Sequence, residues 1–122
     1  MVEVICDTNF LIHLANHRIK NLDTVPMEIG TLTFMVPNVV FNELMKLQNN
    51  PSKKIEIENT LKYIKNLKRI FIDGTFADKE LLEYVKIKQS IVATMDNKLK
   101  ILIKETGSSI ISFHNDKLIL ES

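Results

Sequence analysis

Short apolar runs alternate along the chain with longer stretches whose apolar residues recur every three or four positions. Runs of the first kind predict strands, and stretches of the second kind predict amphipathic helices. The first strand is VEVIC, Val2 to Cys6, followed by a helix from about Thr8 to Asn16 and a short helix over Asn21 to Met27. TFMV, Thr33 to Val36, is a second strand stopped by Pro37, after which Asn38 can cap a helix through VVFNELMKL. Val40, Leu44 and Leu47 share one face of that helix, and Asn49-Asn50-Pro51 breaks it. Ser52 can cap a long helix to about Leu67, with Ile57, Leu61, Ile64 and Leu67 in register. RIFI, Arg69 to Ile72, is a third strand closed by the turn pair Asp73-Gly74. A helix from about Ala77 to Ile87 leads to the strand SIVATM, Ser90 to Met95. Asp96 can cap a helix from Asn97 to Thr106 that Gly107 stops. SIISF, Ser109 to Phe113, is the fifth strand, and the apolar tail KLIL can pack as a last short element. Strands alternating with helices in this way argue for an α/β fold around a mainly parallel sheet.

Length and composition narrow the class. A chain of 122 residues with 45% apolar and 25% charged residues is one domain, 1–122, with enough apolar surface for a core. No apolar run approaches the ~20 residues that span a bilayer. The opening MVEVICDTNFLI lacks the basic region of a secretory signal peptide. A single cysteine, Cys6, excludes an internal disulfide framework and any C-x-x-C metal motif. A small buried hydrophobe is its expected role, and a reducing cytoplasm the expected location.

The acids carry the chemistry. In open parallel sheets, ligands bind beyond the carboxyl ends of the strands. Asp7 directly follows the first strand and Asp96 the fourth, so both are expected at one edge of the sheet. Glu43 lies about one and a half turns into the helix after the second strand and can reach the same cleft. Asp78 opens the helix before the fourth strand and can face the cleft from the other side, with Asp73 and Glu80 close enough to compete for that place. Four converging carboxylates repel one another, and a divalent cation removes that cost. All-oxygen ligation favours Mg²⁺ or Mn²⁺, which can activate water and stabilise charge on a phosphodiester. Net charge sharpens the picture. Setting those four aside leaves 11 of the 15 acids against 16 Lys and Arg, a remainder of +5. Met45 to Ile70 carries Lys46, Lys53, Lys54, Lys62, Lys65, Lys68 and Arg69 against only Glu56 and Glu58. Such a basic shoulder suits a phosphodiester substrate, although it also suits a solvated helix face.

Four segments together resemble the PIN-domain nucleases. ICDTNFLI is similar to the family's opening strand and Asp-x-Asn. PNVVFNELMKL resembles its second motif with Glu43 at the acidic position, and ADKELLEYV and SIVATMDNKLK resemble the third and fourth, with Asp78 and Asp96. TGSSIISF is similar to its closing strand, so the resemblance spans nearly the whole chain. It implies a three-layer α/β/α domain with a five-stranded parallel sheet in the order 3-2-1-4-5. It also implies metal-dependent cleavage of RNA, either as the toxin of a toxin–antitoxin pair or as an RNA-processing enzyme. An antitoxin protein and a second copy of the chain are the implied partners. Asn9 is expected to orient Asp7 or a metal-bound water, and Thr94 to offer its hydroxyl to the site. Met95 departs from the pattern, where a polar residue is common. Strand alternation is expected to turn it away.

Other readings are weaker. His13, His17 and His114 lack metal-like spacing and read as surface or packed residues, although His13 and His17 can share a helix face. His114-Asn115-Asp116 reads as a polar turn from which Asp116 can approach the acids. IFIDG superficially resembles the phosphorylation site of a receiver domain. Receivers need paired acids after strand one and a lysine after strand five, where this chain has a lone Asp7 and His114-Asn115. A PIN-like module that binds RNA or protein without catalysis is the other alternative, and the full acid set argues against it.

Overall fold

The computed structural model describes residues 2–20 and 32–121. The elements run β1 (Val2–Cys6), α1 (Thr8–Asn16), β2 (Leu32–Pro37), α2 (Asn38–Leu47), a 3₁₀ turn (Pro51–Lys53), α3 (Lys54–Ile64), β3 (Lys68–Ile70), α4 (Ala77–Ile87), β4 (Ile91–Ala93), α5 (Asn97–Glu105), β5 (Ser109–His114) and β6 (Lys117–Glu121). The short helix expected over Asn21 to Met27 lies outside the described residues.

The sheet order is β3-β2-β1-β4-β5-β6. The expected order 3-2-1-4-5 is therefore present, with every pair in it parallel. The expected five strands become six, because the KLIL tail forms β6 and pairs antiparallel with β5. Asn115 and Asp116, both at positive φ (51° and 58°), make the two-residue connection. Consecutive positive φ values match the right-handed strand twist, and Asn and Asp tolerate them best. The apolar runs of β1, β2, β4 and β5 are continuous because helices cover both faces of the sheet. Helix α1 packs on α3 and α4 on α5, and the right-handed crossovers of a doubly wound sheet put these pairs on opposite faces. Val4, Cys6, Val36, Val92, Ala93, Ile110 and Ile111 form the centre of the core, with Phe10, Leu44, Ile57, Leu81 and Ile103 closing on it.

Several element ends differ from the expected ones. Pro37, not Asn38, is the N-cap of α2. Asn50 accepts from the Ser52 amide and starts the 3₁₀ turn, so the α-helical part of the long helix begins at Lys54 and stops at Ile64. β3 and β4 are each shortened to three residues, because strand geometry extends only as far as a neighbour is in register.

The strand order reverses between β1 and β4, both of which have their carboxyl ends at the same edge. There the ladder is continued by Asp7 N–H to Ala93 O (2.8 Å) and Thr94 N–H to Ile111 O (3.1 Å), which fixes the backbone on which the acids sit.

At the far edge, Glu121 clamps β6 in place. One carboxylate oxygen accepts from Lys104 Nζ (2.9 Å) and the other from Ser112 Oγ (2.7 Å), with Lys100 at 3.5 Å. These partners, the Lys104 hydrogen bond first, hold the Glu121 carboxyl down to about 2 from an ordinary 4.5. A depressed carboxyl stabilises the fold above its unfolded pKa and loses that contribution as pH falls through the folded value. Glu121→Gln should therefore cost about 1 kcal/mol at neutral pH, a modest figure because the group is partly open to solvent. The cost should shrink as pH drops from 4.5 toward about 2, as read by denaturant melts over that range.

Candidate active site

Asp7 ends the β1 ladder and is the N-cap of α1, 8% exposed. Its Oδ1 accepts from the Thr8 amide (2.8 Å) and its Oδ2 from the Thr94 hydroxyl (3.0 Å). Burial pushes its pKa up, and the neighbouring charges of Glu43 and Asp78 push the same way, against the lowering effect of its two hydrogen bonds. The fold thus disfavours the charged form of a carboxylate that it nevertheless holds in a fixed orientation.

Glu43 projects from α2 between the amino ends of two other helices. Oε1 accepts from the Thr8 hydroxyl (3.0 Å) and Oε2 from the Ala77 amide (2.8 Å). Phe76, the N-cap of α4, has no side-chain cap, so Glu43 supplies one from a distance. A carboxylate at a helix N-terminus is favoured by the helix dipole and satisfies an orphan N–H.

Asp78 stands exposed in the first turn of α4, with Oδ1 on the Lys79 amide (2.9 Å). Asp96 caps α5 as expected, Oδ1 accepting from Lys98 and Leu99 amides (2.9 and 3.2 Å). Its own amide donates to Thr94 Oγ1 (3.2 Å), so one hydroxyl links Asp96 to Asp7. Asp78 and Asp96 line one cavity together with Lys79 and Lys98. Asp7 is thus electrostatically coupled to Glu43 and Asp78 and tied to Asp96 through Thr94, while Asp78 and Asp96 share a cavity. Among the described residues, however, no three His, Cys, Asp or Glu side chains close on a common point as metal ligands would.

Asp73 is exposed in the loop after β3. Asn9 leaves Asp7 to Thr8 and Thr94, and lies exposed on a second cavity with Asp96, Met95, His13 and His17. Met95 corrects an expectation. β4 stops at Ala93, so strand alternation does not govern Met95, which is 39% exposed and lines the same cavity as Asp96. Asp116 turns to His13, with Nε2 to Oδ1 at 2.9 Å. Sequence reasoning missed Thr8, whose amide and hydroxyl hold Asp7 and Glu43 respectively. Its signal was a hydroxyl residue directly after an acid at a strand end.

A family model described as a PIN like domain matches residues 4–116. The chain belongs to the PIN-like domain family. The resemblance drawn from the four motifs to PIN-domain nucleases is thereby borne out, and a receiver domain is excluded. This PIN-like chain is 27% identical over 123 residues to Ribonuclease VapC4 of Methanocaldococcus jannaschii, covering 96% of this chain and 94% of that protein. Its fold is similar to the structure of the PIN domain endonuclease Utp24, with a TM-score of 0.80 and 28% identity over 98% of this chain and 90% of that one. A domain of a functionally unknown protein from Methanocaldococcus jannaschii shares the fold at a TM-score of 0.61, with 22% identity over 93% and 92% of the two chains.

The hydrogen bonds separate Asp7 from Glu43 in what they do for stability. Asp7→Asn keeps the shape and can still accept from the Thr8 amide, with its Nδ2 donating to Thr94 Oγ1 in a reversed bond, while it removes a disfavoured charge, so it should raise stability by about 0.5–2 kcal/mol. Glu43→Ala should cost about 1–3 kcal/mol by orphaning the Ala77 amide and Thr8 hydroxyl. Glu43→Gln can accept from Ala77 and donate to Thr8, and should stay near the wild type. Chemical denaturation of the three variants reads all of these.

Proposed function

We propose that this PIN-like domain is a metal-dependent endoribonuclease that hydrolyses RNA phosphodiester bonds. The observation that carries the reading is Asp7. It is a buried carboxylate at the sheet's switch point, oriented by two hydrogen bonds and repelled by Glu43 and Asp78. Similarity to a protein named as a ribonuclease and to one titled a PIN domain endonuclease supports it.

The donor set fits a hard divalent ion by its chemistry, since it consists of carboxylate oxygens with an excess of negative charge. In this reading Asp7, Glu43, Asp78 and Asp96 would hold Mg²⁺ or Mn²⁺, which would supply an activated water and charge stabilisation at the phosphorus. The rest is the work of this chain. Thr8 and Thr94 fix the Asp7 carboxylate, and Glu43 keeps the amino ends of α1 and α4 at a set separation. Asn9 is left to orient a water at the mouth. Lys79 and Lys98, beside Asp78 and Asp96, take the phosphates of the flanking strand.

In the cell this activity serves a toxin held by an antitoxin protein, or an RNA-processing enzyme, with the domain acting as a homodimer in the cytoplasm. Wild-type expression that arrests growth where Asp7→Asn does not marks the toxin. Harmless expression of active protein marks the processing enzyme.

Purified protein should cut single-stranded or structured RNA with Mg²⁺ or Mn²⁺ and stop when the ion is chelated. Asp7→Asn should lose at least about a hundredfold in rate while melting no lower than the wild type. Wild-type protein that cuts nothing on a broad RNA panel and retains no ion would sink the proposal. RNA binding without turnover would revive the non-catalytic alternative.

A further inference from the structure

A line of aromatic rings runs from the core to the surface beside the acids. Phe34 meets the fully buried Phe10 (centroids 6.0 Å apart), and Phe10 stacks on Phe113 at 4.6 Å. Phe113 meets His13 at 4.5 Å, and His13 stacks on His17 at 4.0 Å with the planes within 10°. His17 is the last ring and is exposed. It lines an open cavity of about 450 Å³ together with Asn9, Ile12, His13, Glu56, Met95 and Asp96.

The two imidazoles have different jobs. His13 is half-buried and donates Nε2–H to Asp116, which ties the β5–β6 turn to α1. That is enough to explain its presence. Among the described residues, His17 bonds only within its own helix. Its backbone N–H and its ring Nδ1 both reach the His13 carbonyl, at 3.0 and 3.2 Å. A carbonyl only accepts, so Nδ1 carries the hydrogen and the ring is locked in tautomer and in orientation. An exposed side chain normally retains its rotamer freedom. This one is held flat, its inner face on His13, at the edge of the cavity that contains Asp96.

We infer that His17 is a stacking platform for a nucleobase of the single-stranded RNA, adjacent to the phosphate at the acidic cleft. The inference rests on the proposed nuclease reading and names the subsite beside it. A base laid on His17 continues the ring ladder by one step, and Met95 offers it an apolar wall across the cavity. A polar residue at 95 would solvate that wall. Stacking of this kind accepts any base, because every base has a π-face, and the rigid platform loses little entropy on binding.

The chain has no tryptophan, so His17→Trp introduces a single indole at the platform. In the Asp7→Asn background, a ten-nucleotide single-stranded RNA should quench that emission. His17→Ala in the same background should weaken binding on the order of tenfold, and His17→Phe should recover most of the loss. In the otherwise wild-type enzyme, His17→Ala should raise KM more than it lowers kcat. Unquenched indole emission on bound RNA, or His17→Ala binding as tightly as His17→Phe, overturns the platform while leaving the nuclease reading standing if the wild type still cuts. Wild-type protein that neither binds nor cuts RNA overturns both. Recovery by phenylalanine separates stacking from a merely structural part for the imidazole.

Discussion

One carboxylate holds the architecture of the cleft. Glu43 binds the Thr8 hydroxyl at the start of α1 and the Ala77 amide at the start of α4. These helices pack on opposite faces of the sheet, and α2, which carries Glu43, touches both. Without that bridge the amino end of α4 has no side-chain cap, and Asp78 in its first turn loses its fixed place opposite Asp7. The bond to Thr8 reaches further still, because the Thr8 amide also orients Asp7. Spacing across the cleft is therefore set by hydrogen bonds between its own walls.

Asp7 shows what the arrangement costs. A buried acid beside two others is disfavoured in its charged form, and two hydrogen bonds only partly offset that. Folding alone would be better served by a neutral residue of the same shape. Acids whose charged form is disfavoured by burial and by like charges are common at functional sites, and the proposed cation would reverse the sign of that repulsion. In this account the cation completes the electrostatics of the fold as well as the chemistry.

The sheet was legible from the sequence because strands covered on both faces must be continuously apolar, as VEVIC and SIISF are. Placing Asp7 and Asp96 at one edge needed only their positions after β1 and β4. Glu43's reach followed from its place on α2, but not its partners, since a bond to a distant helix amide leaves no periodic trace. The sixth strand was seen only as an apolar tail. Its pairing depends on the Asn115-Asp116 turn and on Glu121 meeting Lys104, a contact between residues far apart on different elements. Met95 was misjudged for a related reason: alternation holds only inside a strand, and the register with β5 ends at Ala93.

The central claim is that Asp7 and its neighbours are completed by a divalent ion. Anomalous diffraction from crystals soaked in Mn²⁺ tests it most directly. The account predicts one strong peak within bonding distance of Asp7 and at least one of Glu43, Asp78 and Asp96, absent from Asp7→Asn crystals. A clean map at these carboxylates, or a peak that survives Asp7→Asn unchanged, would contradict it.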